Sequence, residues 1–511
     1  MKIITMYLPQ YHIVKENSEW WGEGYTDWVA VKQAESLYEG HNQPRVPKNN
    51  NYYNLMQKEA MQWQANLMQQ YGIDGICMYH YWFKNGKKIL EKPAENLLKW
   101  SEINMPFCFY WDSQSWVRSW SKMVNSHSWS HKFESKESTG GKTILLEQDY
   151  GTERQWKQHF DYLLPFFKDD RYICINEKPV FMFYRTSSIP CFRQMIAKWN
   201  EWAIEQGFAG LYIIGANGST YLQSALDANI YHEPLYAFSG IGGKRKEGEP
   251  RRVSYDTIWN RILNNRRTLY KTYYSGFVGY DDTPRRDCFG SVVEGQTPEK
   301  FQQYLTELLA KNEASGNEIT FLNAWNEWGE SMYLEPDEKE DNKYLQAVLR
   351  AKVEYKEYIP KYVMQNEKYS EEMLQEFENL QEKSNKYQFL WRILDKWMLL
   401  KERNIQVSEY FVKKGIQTVG IYGLGNIGKH LLEELKHTQV EVIYAIDQNK
   451  GSFSVGIPVY SIENELPEVD MIVMTMVESN YLEWILKSKL NCNIITINQL
   501  LDECIRVYEK N

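Results

Sequence analysis

The 511-residue sequence predicts an α/β chain, a (β/α)8 TIM-type barrel followed by a helical connector and a small C-terminal Rossmann-like domain. Three observations carry this. Eight short apolar, β-rich runs alternate with amphipathic helical stretches before residue 360. Sixteen of the 19 tryptophans lie in that same stretch, two more in a charged helical segment, and only Trp484 in the last 96 residues. Finally, a Gly-x-Gly-x-x-Gly run sits between a strand-like and a helix-like segment at 418–435. These set the expected domains: 1–360 a glycan-active barrel, 361–415 a helical connector, and 416–511 a Rossmann-like, nucleotide-type domain.

In chain order the expected barrel strands are 3–8, 74–79, 106–111, 179–184, 211–215, 229–232, 273–279 and 319–324. Helical periodicity, with apolar residues recurring at three and four, follows most of them, as at 54–72, 154–168 and 298–312. A doubly wound open sheet is the competing arrangement. After each strand comes a polar, aromatic run: LPQYH (8–12), HYWF (80–83), WDSQSW (111–116), YR (184–185), AN (216–217), HEP (232–234), YDD (280–282) and WNEWGE (325–330). In a barrel the C-terminal strand ends carry the site. Aromatic rings stack on the C–H faces of sugars while Asn, His, Asp and Arg read hydroxyls, so this lining suits a carbohydrate. The bland alternative is that a large barrel simply needs bulky aromatics in its loops.

The charge balance, 59 Lys and Arg against 67 Asp and Glu, argues against a nucleic-acid partner bound through bulk charge. Seven scattered cysteines with no CxxC pair indicate reduced thiols of a cytoplasmic protein. The N-terminus turns polar too early for a signal peptide, and no run of 18 apolar residues exists to span a membrane.

Glycosyl chemistry needs one group to exchange a proton with the glycosidic oxygen and another to act at the anomeric centre. Glu327 and Glu330, after the eighth strand and flanked by Trp325 and Trp328, are the candidate pair. The candidate substrate-binding residues around them are Tyr11, His12, Trp20, Trp21, Tyr79, His80, Tyr81, Trp82, Trp111, Gln114, Trp116, Arg118, Asn217, His232, Glu233, Asp282, Trp325, Asn326 and Trp328. Each is equally open to a structural hydrogen bond. Glu335 reads as a structural loop residue. The histidines lack any HExxH-like spacing, so no metal is expected. The basic loop 242–252 reads as a solvated insertion or as a contact for a diphosphate.

The runs YLPQYH (7–12), WWGEGYTDW (20–28), GHNQPRVP (40–47), YGIDGICMYHYWF (71–83), ILEKP (89–93), DDRY (169–172), YDDTPRR (280–286) and WNEWGESMYLEPD (325–337) resemble the WbsX-type family. That family is found with O-antigen and capsule biosynthesis proteins and is similar to the endo-α-mannosidase barrels of glycoside hydrolase family 99. Over residues 1–355 the resemblance implies a (β/α)8 barrel, with Glu327 as the base acting on the sugar's 2-hydroxyl and Glu330 as the acid/base of a retaining reaction. It leaves open whether the family hydrolyses or transfers. Where relatives carry a Glu after the third strand this chain has Gln114, which puts any proton handling there in doubt.

Residues 361–414 read as charged and helical, with an amphipathic segment at 387–401 that docks against protein or makes peripheral contact with the inner membrane. In the last domain Gly423, Gly425 and Gly428 form the phosphate-type turn, and Asp447 ends the next strand. The candidate ligand is a nucleotide or nucleotide sugar. NAD is an alternative, without dehydrogenase catalytic residues to use it, and so is a purely structural role.

The function expected is a cytoplasmic carbohydrate-active enzyme of bacterial surface polysaccharide (O-antigen or capsule) biosynthesis, transferring a glycosyl unit through the Glu pair with no cofactor required. The alternatives are an endo-acting retaining glycoside hydrolase using the same pair and, on account of Gln114, a non-catalytic glycan-binding protein. Sugar identity, acceptor and oligomeric state are not legible.

Overall fold

The computed structural model describes residues 1–117, 144–217, 225–241, 246–448, 455–476 and 480–509. It divides into two units, the first built from Met1–Ser188 and Phe192–Leu374 and the second essentially from Gln375–Asn511.

The first unit is a parallel barrel. Its strands are β1 (Lys2–Tyr7), β2 (Gly75–His80), β3 (Phe107–Trp111), β4 (Lys178–Phe183), β5 (Tyr212–Ala216), β6 (Ala228–Tyr231), β7 (Thr272–Tyr274), β8 (Gly276–Phe277) and β9 (Ile319–Asn323). They run in the order β7-β6-β5-β4-β3-β2-β1-β9-β8, each paired parallel to its neighbours. The eight expected strands are all present, because each apolar run is almost wholly buried and reads as a core strand. The exception to simple reading is 273–279. It is one strand in two halves, β7 pairing with β6 and β8 pairing with β9, and this divided strand brings the two ends of the sheet together.

Side chains replace the ladder where that strand breaks. Asn312 accepts from the Tyr274 amide at 3.0 Å and donates to the Tyr274 carbonyl at 2.8 Å and to Thr320 at 3.0 Å. Asn317 donates to the Thr272 carbonyl at 2.8 Å. Both asparagines are buried, so they satisfy backbone groups that water cannot reach.

The helices form for ordinary reasons. After β1 come α1 (Asp27–Lys32) and α2 (Lys58–Tyr71). The latter buries Ala60, Met61, Gln64, Ala65, Met68 and Tyr71 at helical spacing and ends on the left-handed Gly72. Next come α3 (Glu153–Phe167), opened by a Thr152–Gln155 capping box, and α4 (Phe192–Glu205). Then α5 (Tyr255–Asn264), α6 (Pro298–Ala314), capped by Thr297, and α7 (Lys343–Glu354) complete the outer layer. Among the described residues no α-helix lies between β5 and β6.

The expected connector is helical over Ile359–Glu367, α8 (Glu371–Glu402) and Ser408–Lys413. The second unit carries five parallel strands, β10 (Thr418–Tyr422), β11 (Glu441–Ile446), β12 (Val459–Tyr460), β13 (Met471–Met474) and β14 (Asn493–Thr496). Their order is β12-β11-β10-β13-β14, with α9 (Asn426–Leu435) following β10. The order reverses between β10 and β13, the crevice where open α/β sheets bind ligands. Ile393, Trp397 and Leu400 of α8 are buried in this unit's core with Val419, Ile421 and Leu431. One stripe of the amphipathic segment 387–401 is therefore spent on packing. No helix among the described residues is long and apolar enough to cross a membrane. All seven cysteines are unbridged, with Cys174 exposed.

The seam yields a stability prediction. Asn312→Ala strands a buried amide and carbonyl of Tyr274, and we expect a loss of about 2–4 kcal/mol in urea unfolding with an unchanged slope.

Candidate active site

One cavity of about 640 Å³ opens at the C-terminal ends of the barrel strands. Its wall includes Glu327 and Glu330, which cap and end a single helical turn, Trp328–Glu330, just past β9. Trp328 points inward, stacking on Tyr333 at 3.6 Å and donating to Glu335 at 2.7 Å. Gly329 covers a guanidinium so closely that a Cβ there would lie 2.6 Å from Arg285 Nε. The two glutamates are thus brought round one arginine.

Arg285 is the centre of the site. Its Nη2 meets Glu327 at 2.9 Å and Asp27 at 2.6 Å, and its Nη1 meets Glu330 at 3.0 Å. Asp27 comes from α1, Arg285 from the YDDTPRR run and the glutamates from the turn after β9, so three distant segments share one cation. Glu327 is enclosed, with 6% of its side chain exposed, whereas Glu330 keeps 27% open. Burial pushes the Glu327 carboxyl well above the usual carboxylate range, opposed by Arg285 and assisted by Glu330 and Asp27. Burial likewise raises Glu330, opposed by Arg285 and Arg286 and assisted by Asp282 and Asp27. With three carboxylates gathered round one buried guanidinium, burial outweighs the cation and both glutamates are pushed towards the protonated form.

Seven of the predicted residues line the cavity: Tyr79, Tyr81, Asn217, His232, Asp282, Glu327 and Glu330. The other described ones lie behind or beside it. Tyr11 donates to the Asn326 carbonyl and accepts from the Trp328 amide, while the Asn326 side chain bridges both backbone groups of Leu8. His80 meets His159 of α3 nitrogen to nitrogen at 2.7 Å, and Trp82 stacks flat on His159 at 4.3 Å. Burial drives His80 down to about 3, so it stays neutral. Trp111 donates to the Trp82 carbonyl, and Trp116 packs edge-on with Trp20 and Tyr81. Glu233 accepts from the Ala237 amide at 2.8 Å and is raised to about 8 by burial. His12, Gln114 and Trp325 are buried outside the wall, and Trp21 packs near Tyr25. Glu335 is enclosed by Tyr53, Gln64 and Trp328. Arg118 and residues 242–245 of the basic loop lie outside the described residues.

Sequence reasoning did not single out Arg285, Asp27, Asp112, Tyr184, Arg185, Tyr280 or Arg286. All except Asp27 face the cavity; Asp112, Tyr184, Arg185 and Tyr280 lie in the polar, aromatic runs quoted after the strands, whereas Asp27, Arg285 and Arg286 lie only in runs quoted for the family resemblance. The two arginines belong to YDDTPRR, whose length past the strand was the available signal. Burial raises Asp112 to about 7.

In the second unit Gly423 adopts φ +97°, and the Thr475 hydroxyl donates to its carbonyl. Gly425 faces open space, whereas a Cβ on Gly428 would meet the Gly423 carbonyl at 2.0 Å. Asp447 accepts from the Leu424 amide at 2.8 Å, fixing the turn. Open space at Gly425, at the start of α9, fits a phosphate group. Among the described residues no cluster of three or more His, Cys, Asp or Glu is placed to hold a metal ion.

Comparison with known proteins adds the following. The profile of a family described as glycosyltransferase WbsX matches residues 3–348, and that of the NAD-binding domain of D-isomer specific 2-hydroxyacid dehydrogenases matches 390–490. The uncharacterised protein WxcX of Xanthomonas campestris pv. campestris is 28% identical over 360 residues, 68% of this chain and 49% of its own length. The chain thus spans about half the length of the curated relatives it matches. Among solved structures, the family 99 endo-α-mannosidase of Bacteroides thetaiotaomicron, bound to bis-tris-propane, aligns with a TM-score of 0.43 and 13% identity, over 70% of this chain and 97% of its own. A glycoside hydrolase-like protein aligns at 0.41 and 10%, over 68% and 93%.

The arginine clamp makes a pH-dependent prediction. Arg285→Ala leaves Asp27, Glu327 and Glu330 buried without their cation, and we expect a loss of about 3–5 kcal/mol at pH 8. Both glutamates have folded-state pKa values above the unfolded value of about 4.3, so protonation favours the folded form. The deficit should therefore shrink as pH falls from 8 towards 5 in denaturant titrations.

Proposed function

The chain belongs to the WbsX glycosyltransferase family, its profile spanning residues 3–348, and from that premise we propose that it is a carbohydrate-active enzyme of surface polysaccharide (O-antigen or capsule) biosynthesis that transfers a glycosyl unit in the barrel cavity. The observation that carries this reading is the Glu327–Glu330 pair held by one buried arginine in the wall of a cavity of sugar-binding size. Proton exchange at a glycosidic oxygen requires a carboxyl pair in which one partner is ionised and the other protonated near neutral pH. The half-open Glu330 is the acid/base, and the enclosed Glu327 acts at the sugar's 2-hydroxyl. Arg285 orients both and limits the charge they carry together. Tyr79, Tyr81, Tyr184 and Tyr280 offer ring faces to sugar C–H groups, and Asp112, Asn217, His232 and Asp282 read hydroxyls.

Transfer is favoured over hydrolysis by Arg185 and Arg286, which line the same cavity. A departing phosphate group would meet charge-assisted hydrogen bonds from these cations, of which Arg286 is paired with Asp282 at 3.3 Å, whereas a neutral glycan would take only hydroxyl contacts from them. In the second unit, Gly423, Gly425, Gly428 and Asp447 would hold a nucleotide or nucleotide sugar. Such a ligand supplies recognition there and takes no part in the barrel chemistry.

Two measurements test these assignments. Purified protein offered nucleotide sugars with and without acceptor glycans should release nucleotide only with acceptor, and Glu327→Gln and Glu330→Gln should each lower kcat/KM by at least about 100-fold. Acceptor-free glycan cleavage would establish hydrolysis instead, and full activity in both variants would leave a glycan-binding role. For the second unit, calorimetric titration of the full chain with UDP, GDP and NAD should detect one ligand, with binding lost in Gly425→Asp, where φ is −64° and the side chain has room. No heat with any ligand would mean a structural domain.

A further inference from the structure

The run GHNQPRVP at 40–47 contributes nothing to the cavity wall, yet two of its side chains reach the segments that carry the site. His41 Nε2 meets Asp281 Oδ2 at 2.8 Å. The Gln43 amide nitrogen donates to the same oxygen at 2.7 Å and to the Ser331 hydroxyl at 3.1 Å. Both side chains are fixed in turn. The Leu37 amide donates to His41 Nδ1 at 3.0 Å, which leaves the ring hydrogen on Nε2 for Asp281. The Arg45 amide donates to the Gln43 side-chain oxygen at 3.2 Å. Asp281 also accepts from the Thr283 amide at 3.0 Å and the Thr283 hydroxyl at 2.6 Å, both on Oδ1, so four donors converge on one buried carboxylate. Burial pushes this carboxyl upward, but the hydrogen bonds from His41, Thr283 and Gln43 outweigh it and hold it below the usual carboxylate range.

Two backbone paths lead from Asp281 to the glutamate clamp. Its bonds to Thr283 open the short helical turn Thr283–Arg286, in which the Arg285 and Arg286 amides donate to the Asp282 carbonyl at 3.2 and 3.0 Å. From the other side, the Asp281 amide donates to the Glu330 carbonyl at 2.8 Å. One residue thus fixes the backbone on both sides of the 3.0 Å contact between Arg285 and Glu330. Gln43 spans the same gap, because Ser331 follows Glu330 and its amide closes the turn on the Trp328 carbonyl at 3.1 Å.

We propose that Asp281 is a positioning residue for the Arg285–Glu330 contact, and that His41 and Gln43 hold it in register. This role rests on the reading of Glu327 and Glu330 as the acid–base pair. Such a constellation needs its groups held to within about 0.5 Å by side chains that are themselves locked. Here the lock comes from a segment 240 positions away in the chain. When it is loosened, the arginine turn and the glutamate turn are free to part. Arg285 opposes protonation of both glutamates, so parting them lets the pair keep its proton to higher pH. Of the other charged groups facing Glu330, Arg286 acts in the same sense as Arg285, and Asp282 and Asp27 act against it.

The test is a pH titration of the protonated-carboxyl infrared band of the pair in the full chain. The band is isolated as the difference between each protein and the same protein carrying both Glu327→Gln and Glu330→Gln. It is read without substrate, so it holds or fails separately from the activity of the Glu→Gln variants. Gln43→Ala and His41→Ala, which leave every carboxylate and arginine of the site in place, should each raise the midpoint by about 0.5–1 pH unit. His41→Gln returns an N–H donor to the Nε2 position and should restore the wild-type midpoint, a rescue that a purely structural role would not give. Gln43 is half-buried, so Gln43→Ala should keep the wild-type far-ultraviolet circular dichroism and carries the test if His41→Ala fails to fold. A midpoint unchanged or lowered in the folded alanine variants, or one raised as far in His41→Gln as in Gln43→Ala, would overturn the proposal.

Discussion

One guanidinium organises the barrel site. Arg285 is buried and holds Asp27, Glu327 and Glu330 at 2.6, 2.9 and 3.0 Å, and no arrangement of those carboxylates without it would survive removal from water. Several local features follow from seating it. Gly329 is a glycine because the guanidinium occupies the space of its Cβ. Trp328 turns away onto Tyr333 and Glu335, which leaves the flanking glutamates to face the cavity. The burial that seats the guanidinium also pushes both glutamates up, so packing and acid-base character have one cause.

The barrel supplies the frame for that contact. β9 delivers the glutamate turn, and Asn326 ties the turn to the end of β1 through the backbone of Leu8. The neighbouring strand, split into β7 and β8, delivers the arginine, and buried asparagines on and beside α6 restore the hydrogen bonds that the split removes. The aromatic richness of the chain has two uses here. Some rings face the cavity, and many more, such as Trp111 and Trp199, fill the space between barrel and helices.

Much of this was legible in the sequence. The barrel strands could be read because strands buried on both faces are continuous apolar runs, and the Rossmann-like turn because Gly423 and Gly428 are sterically required there. The site was legible in its location and less so in its detail. HYWF after β2 contributes Tyr81, with Tyr79 before it, to the cavity, while His80 and Trp82 point to α3. The alternation of a strand predicts that split, and reading the run as a block obscures it. Arg285 and Asp27 are 258 positions apart, and no local pattern links them; only the closed barrel does.

The central claim is that burial, only partly offset by Arg285, keeps a proton on the Glu327–Glu330 pair at neutral pH. Infrared difference spectroscopy between the wild type and Glu327→Gln at pH 7 tests it most directly. The account predicts a protonated-carboxyl band in the wild type that is lost in the variant and weakens as pH rises. A difference spectrum showing only ionised carboxylate, at pH 7 and below it to about 5, where an ordinary glutamate is already charged, would contradict it.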